Sequence, residues 1–187
     1  MNLLLGVSGG IAAYKACELA SLAVKRGHEV RVLMTENATR FVGPITFEGL
    51  TGHPPLTDTF SDGMAHITLA KWASCVALAP VTANLLAKLA MGLADDPLTT
   101  TVLAVPSRTP VVVAPAMNTE MWNHPATQRN LRWLDELGRY HRVSPVEKRL
   151  ACGDVGVGGL ADPADILAMC ESLVPSPLPT GLGVTTG

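Results

Sequence analysis

Short apolar runs, most of them followed by small or polar residues and a stretch of helix length, constrain this chain more than any other feature. Residues 3–7, 29–34, 75–79, 111–114 and 140–143 read as strands. Residues 11–26, 42–50, 66–73, 82–93, 97–105, 125–138 and 164–174 read as helices between and after them. Gly27 stops the first helix, and a tight Asp95-Asp96-Pro97 junction separates two others. Strand–helix alternation of this kind is the pattern of βαβ units on a parallel sheet. The expected fold is therefore α/β: a Rossmann-like or flavodoxin-like three-layer sandwich around a central parallel sheet. In the last helix-rich part, Trp133 and the neighbouring leucines fall at core spacing. Residues 148–160 differ, being Gly-rich and without hydrophobic period, which is the character of a functional flap.

Residues 1–174 read as one domain, and the Pro/Gly-rich residues 175–187 as linker. Only 16% of the 187 residues are charged while 48% are apolar, against ~25% charged in an ordinary soluble domain. So little charge places apolar surface in subunit contacts, and a homo-oligomer is expected. A net charge of −2 without a basic stripe argues against nucleic acid or an anionic membrane as partner. No apolar run approaches the ~18 residues of a membrane span. Cys17, Cys75, Cys152 and Cys170 lack CxxC spacing, which fits a reducing cytoplasm. Cys17, Cys75 and Cys170 are expected in the core. Cys152 sits among glycines, where a core thiol has little to pack against. His28, His53, His124 and His141 have no ligand spacing, and no metal site is expected.

In open α/β sheets, ligands bind beyond the carboxyl ends of the strands. Several strand ends here carry small polar groups. The first gives Gly6-Val7-Ser8-Gly9-Gly10, leading into a helix whose N-terminal amides and dipole suit a phosphate. Ser8 stands where a dinucleotide fingerprint has its second glycine, so a terminal monophosphate, as in FMN, fits better than a pyrophosphate; a Gly-rich turn without ligand has the same composition. Thr35 ends the second strand, and Pro80-Val81-Thr82-Ala83-Asn84 the third. The fourth runs into Pro115-Ala116-Met117-Asn118. Asn118 offers a donor and an acceptor there, and Met117 and Met121 offer polarisable surface for a flat ring; an ordinary turn with core methionines is the plain alternative. His66 stands at the start of a helix, where a lone histidine is more often structural than catalytic.

Taken in order, these segments resemble the flavin-dependent cysteine decarboxylases, and the resemblance covers most of residues 3–174. Pro115, Met117, Asn118, Met121 and Trp122 are similar to that family's substrate motif PxMNxxMW. PVTANLLAK, from Pro80 to Lys88, is similar to its flavin motif. His66 precedes Ile-Thr-Leu as the family's active-site histidine precedes Ile-x-Leu, and Cys152 lies in a matching flap. The resemblance implies FMN as cofactor, held by Ser8, Gly9, Gly10, Ile11, Thr35, Phe41, Thr82, Asn84 and Leu85. It implies redox-neutral decarboxylation of 4'-phosphopantothenoylcysteine to 4'-phosphopantetheine in coenzyme A biosynthesis. In that reading Asn84, Met117, Asn118 and Met121 contact the substrate, His66 assists oxidation and decarboxylation, and Cys152 donates the last proton. Trimers, or dodecamers built from trimers, with flavin at subunit contacts are implied as well. Gly181 to Gly187 resembles the opening of a fused phosphopantothenate–cysteine ligase domain. One departure stands out: Gly158-Gly159-Leu160 replaces the Gly-Arg-Met or Gly-Arg-Leu of many relatives. Peptidyl-cysteine decarboxylases, flavin prenyltransferases and non-catalytic flavin-binding regulatory subunits are the neighbouring alternatives.

Overall fold

A computed structural model describes residues 1–60, 63–149 and 155–174. The elements run β1 (Asn2–Val7), α1 (Ala13–Lys25), β2 (Glu29–Met34), α2 (Glu36–Thr39), α3 (Pro44–Thr51), α4 (Ala65–Trp72), β3 (Cys75–Val81) and α5 (Ala83–Met91). They continue with α6 (Pro97–Ala104), β4 (Val111–Pro115), α7 (Thr119–Asn123), α8 (Pro125–Glu136), β5 (Tyr140–Arg142), β6 (Val146–Arg149), β7 (Val155–Gly159) and α9 (Pro163–Leu173). Five strands form one sheet in the order β2-β1-β3-β4-β5, all neighbours parallel. The expected parallel α/β sandwich is what the chain forms.

Strands buried on both faces must be apolar at nearly every position. β1, β3 and β4 meet that demand, and their alternation divides the core in two. Leu3, Leu5, Val7, Cys75, Ala77 and Val112 face α1, α3 and α9, with Phe47 filling the layer. Leu4, Leu33, Val76, Leu78, Val111 and Val113 face α4, α5, α6 and α8. Gly6 lets α6 come close to the sheet, because a Cβ there would meet Leu98 at 3.1 Å and Leu78 at 2.5 Å. Helix ends follow local chemistry. Gly27 and Gly92 take left-handed φ values of 79° and 67° after α1 and α5. Asp96 caps α6 in a reciprocal box with Thr99, behind Pro97 at the first turn.

Three expectations need correction. Trp133 is 48% exposed, whereas Leu131 and Leu134 are buried. The buried stripe of α8 runs Thr127, Asn130, Leu131 and Leu134, and Trp133 lies about 100° off it. Cys17 is only half-buried, while Cys75 and Cys170 are in the core. Residues 146–149 and 155–159, in and beside the expected irregular flap, pair as an antiparallel ribbon, β6 with β7. Its glycines had hidden the strand period. Among the described residues no helix is long and apolar enough to cross a membrane. Residues 175–187 lie outside the described residues.

The packing predicts that Leu98→Ala, which empties a fully buried position, lowers stability by about 2–5 kcal/mol. Trp133→Ala is expected to change it by less than about 1 kcal/mol. Urea denaturation of both variants checks the pair of values.

Candidate functional site

The strand order reverses between β1 and β3, since β2 lies to one side and β4 to the other. Such a crossover leaves a crevice at the carboxyl edge of the sheet. Here it is an open cleft of about 1040 Å³ whose lining comes from the segments after β1, β2, β3 and β4, with Gly158 of β7.

The Ser8 hydroxyl holds the two central strand ends together. It donates to the Pro80 carbonyl at 2.7 Å and accepts from the Thr82 N–H at 3.1 Å. Ser8 lines the cleft but is 2% exposed, so its hydroxyl serves the scaffold rather than standing free for a phosphate. Thr82 in turn caps α5 by accepting from the Leu85 N–H. Gly9 is bare because α2 is pressed onto it: a Cβ would collide with Asn37, backbone included. Thr35 caps α2 through the Ala38 N–H at 3.2 Å. Among the described residues, no group accepts from the N–H groups of Gly9, Gly10 or Ile11. These amides stand at the positive end of the thirteen-residue α1, an arrangement that takes an anion.

Across the cleft, β4 ends at Pro115 and delivers Met117, Asn118 and Met121 to the lining. Asn118 caps α7 with its Oδ1 accepting from the Glu120 N–H at 2.8 Å. The β7 strand is docked on this corner, the Met117 N–H donating to Gly158 O at 2.9 Å. Gly158 lines the cleft and has φ of +147°, a conformation closed to ordinary side chains. Gly159, where many relatives carry arginine, is buried and pairs with Val146 in the ribbon.

The cleft therefore gathers Ser8, Gly9, Gly10, Ile11, Thr35, Thr82, Asn84, Leu85, Met117, Asn118 and Met121 from the sequence reading. It does not include Phe41 or His66. Phe41 is 51% exposed. His66 lies in α4, which packs on α6 in one helical layer, and its Nδ1 is buried with no hydrogen-bond partner among the described residues. Cys152 lies outside the described residues. The core thiols have no part in the cleft: hydrogen bonding to Cys75 and burial push the Cys170 thiol far up. Among the described residues no group of three or more His, Cys, Asp or Glu is placed to hold a metal.

Sequence reasoning missed a charged group in the lining. Lys88, four residues beyond Asn84 and thus on the same helical face, pairs with Asp95 at 2.6 Å and Asp96 at 3.0 Å. All three line the cleft. Burial disfavours the Lys88 ammonium, but hydrogen bonds to both carboxylates outweigh it and raise its pKa. The hydrogen bond from Lys88 holds the Asp95 carboxyl below its ordinary value against slight desolvation. A lowered carboxyl pKa stabilises the fold above the unfolded value and loses that contribution as pH falls through the folded one. The raised lysine pKa stabilises below the unfolded value and is lost as pH rises through the folded one. Both contributions are thus present around neutrality. The sequence signal for the pair was the Asp95-Asp96-Pro97 junction.

Residues 1–174 match the family model described as Flavoprotein. Coenzyme A biosynthesis bifunctional protein CoaBC of Bacillus subtilis (strain 168) is 50% identical over 174 residues, 91% of this chain and 42% of that protein. The chain thus spans about two-fifths of the length of this curated relative. Among solved structures, a cysteine-to-serine mutant of a PPC decarboxylase complexed with pantothenoylaminoethenethiol is 37% identical, with a TM-score of 0.82 over 91% of this chain and 96% of that one. The FMN binding protein AtHal3 is also 37% identical, with a TM-score of 0.77 over 91% and 95% of the two chains.

The geometry predicts that Asp96→Ala, which removes both a helix cap and a Lys88 contact, costs about 0.5–2 kcal/mol at pH 7. Asp95→Asn, at the exposed end of the pair, is expected to change neutral stability little and to make the acid limb shallower. Urea denaturation between pH 3 and 8 measures both.

Proposed function

Because the chain belongs to the Flavoprotein family over residues 1–174, we propose that it binds FMN and decarboxylates 4'-phosphopantothenoylcysteine to 4'-phosphopantetheine. The observation that carries this reading is the cleft itself. Its two sides pair unengaged N–H groups at a helix N-terminus with Met117, Asn118 and Met121, and its relatives include a PPC decarboxylase of nearly equal length. Both ends fit a phosphorylated, flat ligand. The amides of Gly9, Gly10 and Ile11 hold the FMN phosphate, and Met117 and Met121 offer polarisable surface to its ring.

Bound FMN supplies a reversible two-electron acceptor, which makes carbon dioxide loss from a cysteine possible and leaves the net reaction redox-neutral. The chain's residues bind, orient and move protons. The Asn118 amide donates to the substrate carboxylate, and Asn84 orders substrate against cofactor. The imidazole of His66 takes up a proton during the oxidative half. Cys152 returns the last proton, a role open to its residue type because thiols are ordinarily protonated at neutral pH.

His66 acts on the cleft of a second copy. Ile11 and Tyr14, in the cleft lining, are 61% and 53% exposed, and Phe60 and Met64, just before α4, are 90% and 62% exposed. Joining these two different apolar surfaces is a heterologous contact, which closes into a ring such as the expected trimer. The bifunctional description of the relative supports a second functional half in the same polypeptide, and the resemblance of residues 181–187 points to a ligase there.

The test is incubation of the FMN-loaded protein with phosphopantothenoylcysteine, without NADPH, followed by product mass. Loss of one carbon dioxide to a saturated thiol is expected. Cys152→Ser is expected to stop at the unsaturated enethiol, and His66→Asn to lose on the order of 10²–10⁴-fold in turnover. Mixed with Asn118→Ala chains, His66→Asn chains are expected to regain activity as copies exchange. An unchanged substrate overturns the activity; mixtures that stay inactive after exchange overturn the shared site.

A further inference from the structure

Asn118 is held from both sides by one strand that carries no side chain where it touches. On the N-terminal side, Met117 N–H donates to Gly158 O at 2.9 Å. The space a Gly158 Cβ needs is filled by the Met117 carbonyl oxygen. On the C-terminal side, a Cβ on Gly156 would stand 2.5 Å from Thr119 Oγ1 and 3.2 Å from its Cγ2. Val157, between the two glycines and therefore on the other face of the strand, is 37% exposed. Thr119 Oγ1 is buried and has no hydrogen-bond partner among the described residues. With no hydrogen bond from that hydroxyl and both Oγ1 and Cγ2 against the bare Gly156 position, the contact of Thr119 with Gly156 is one of shape. The corner 117–119 and β7 thus fit as a seam, with Asn118 at its centre.

We infer that Gly156 and Gly158 are positioning residues, setting the place of Asn118 in the cleft through Thr119 and Met117. The inference rests on the reading of Asn118 as the group that binds the substrate carboxylate. An amide that binds the substrate carboxylate must lie within hydrogen-bond reach of it, and a displacement of about 1 Å forfeits most of that charge-assisted bond and raises KM. A Cβ at position 156 pushes α7, and Asn118 as its cap, away from β7. It leaves untouched the Gly9–Ile11 amides, which lie at the end of a different strand.

The test compares FMN-loaded wild type with Gly156→Ala, Thr119→Ala and the double variant, reading KM, FMN content and hydrogen exchange of the Met117 amide. Gly156→Ala is expected to raise KM for phosphopantothenoylcysteine about tenfold or more, the effect of losing one hydrogen bond to a charged group, at unchanged FMN content, and to speed Met117 exchange. Removing the opposing side chain makes room, so the double variant is expected within about threefold of Thr119→Ala alone, a non-additivity that only contacting residues show. Wild-type KM and exchange in Gly156→Ala overturn the inference, as do defects that simply add in the double variant. If Gly156→Ala alone does not fold, the double variant decides: folding with protected Met117 supports the seam, and failure to fold overturns it. Should the wild type leave the substrate unchanged, the substrate reading fails, while Met117 exchange still reports on the seam.

Discussion

The Ser8 hydroxyl, donating to Pro80 O and accepting from Thr82 N–H, is the interaction on which the rest of the site depends. It spans the point where the strand order reverses, between the ends of β1 and β3. Without it, the Pro80 carbonyl and the Thr82 N–H at the floor of the cleft would lose the partner that satisfies them, a costly state for a buried polar group. With it, the turn into α1 and the cap of α5 share one anchor. The amides of Gly9 to Ile11 then face the same cleft as Asn84. The tight approach of Asn37 to Gly9 seals the third side. A binding site thus follows from strand topology and one hydroxyl, before any catalytic group is considered.

The layers explain which features were legible in the sequence. β2 was readable to the residue because it is a short, mostly apolar run bounded by Gly27 after the preceding helix and by the polar Thr35. Asn118, Thr82 and the Gly-rich turn were readable because a parallel sheet delivers every strand's carboxyl end to one edge. Trp133 misled, since one residue's rotation on α8 separates core from solvent. The β6–β7 ribbon was illegible for a physical reason: Gly156 and Gly158 present bare backbone inward, so no apolar alternation marks the strand. Lys88 with Asp95 and Asp96 escaped notice because the pair forms across a turn. His66 was legible as chemistry but not as geometry, for α4 places it outside the lining of its own chain's cleft.

Low charge acquires a meaning from this arrangement. Ile11 and Tyr14 on the cleft side, and Phe60 and Met64 before α4, remain well exposed, and a chain with few charges has little else to cover them. In the proposed ring, association that buries both surfaces would supply hydrophobic stabilisation and bring a histidine to each cleft in one step. On that proposal the stability of the assembly and the completeness of the site are the same property.

The most direct measurement is a fluorescence titration of FMN into Ser8→Ala. Ser8 acts by joining two strand ends, so its loss is expected to weaken FMN binding about tenfold or more, some 1.4 kcal/mol, in a protein that still folds. A folded Ser8→Ala variant binding FMN as tightly as the wild type would contradict the account.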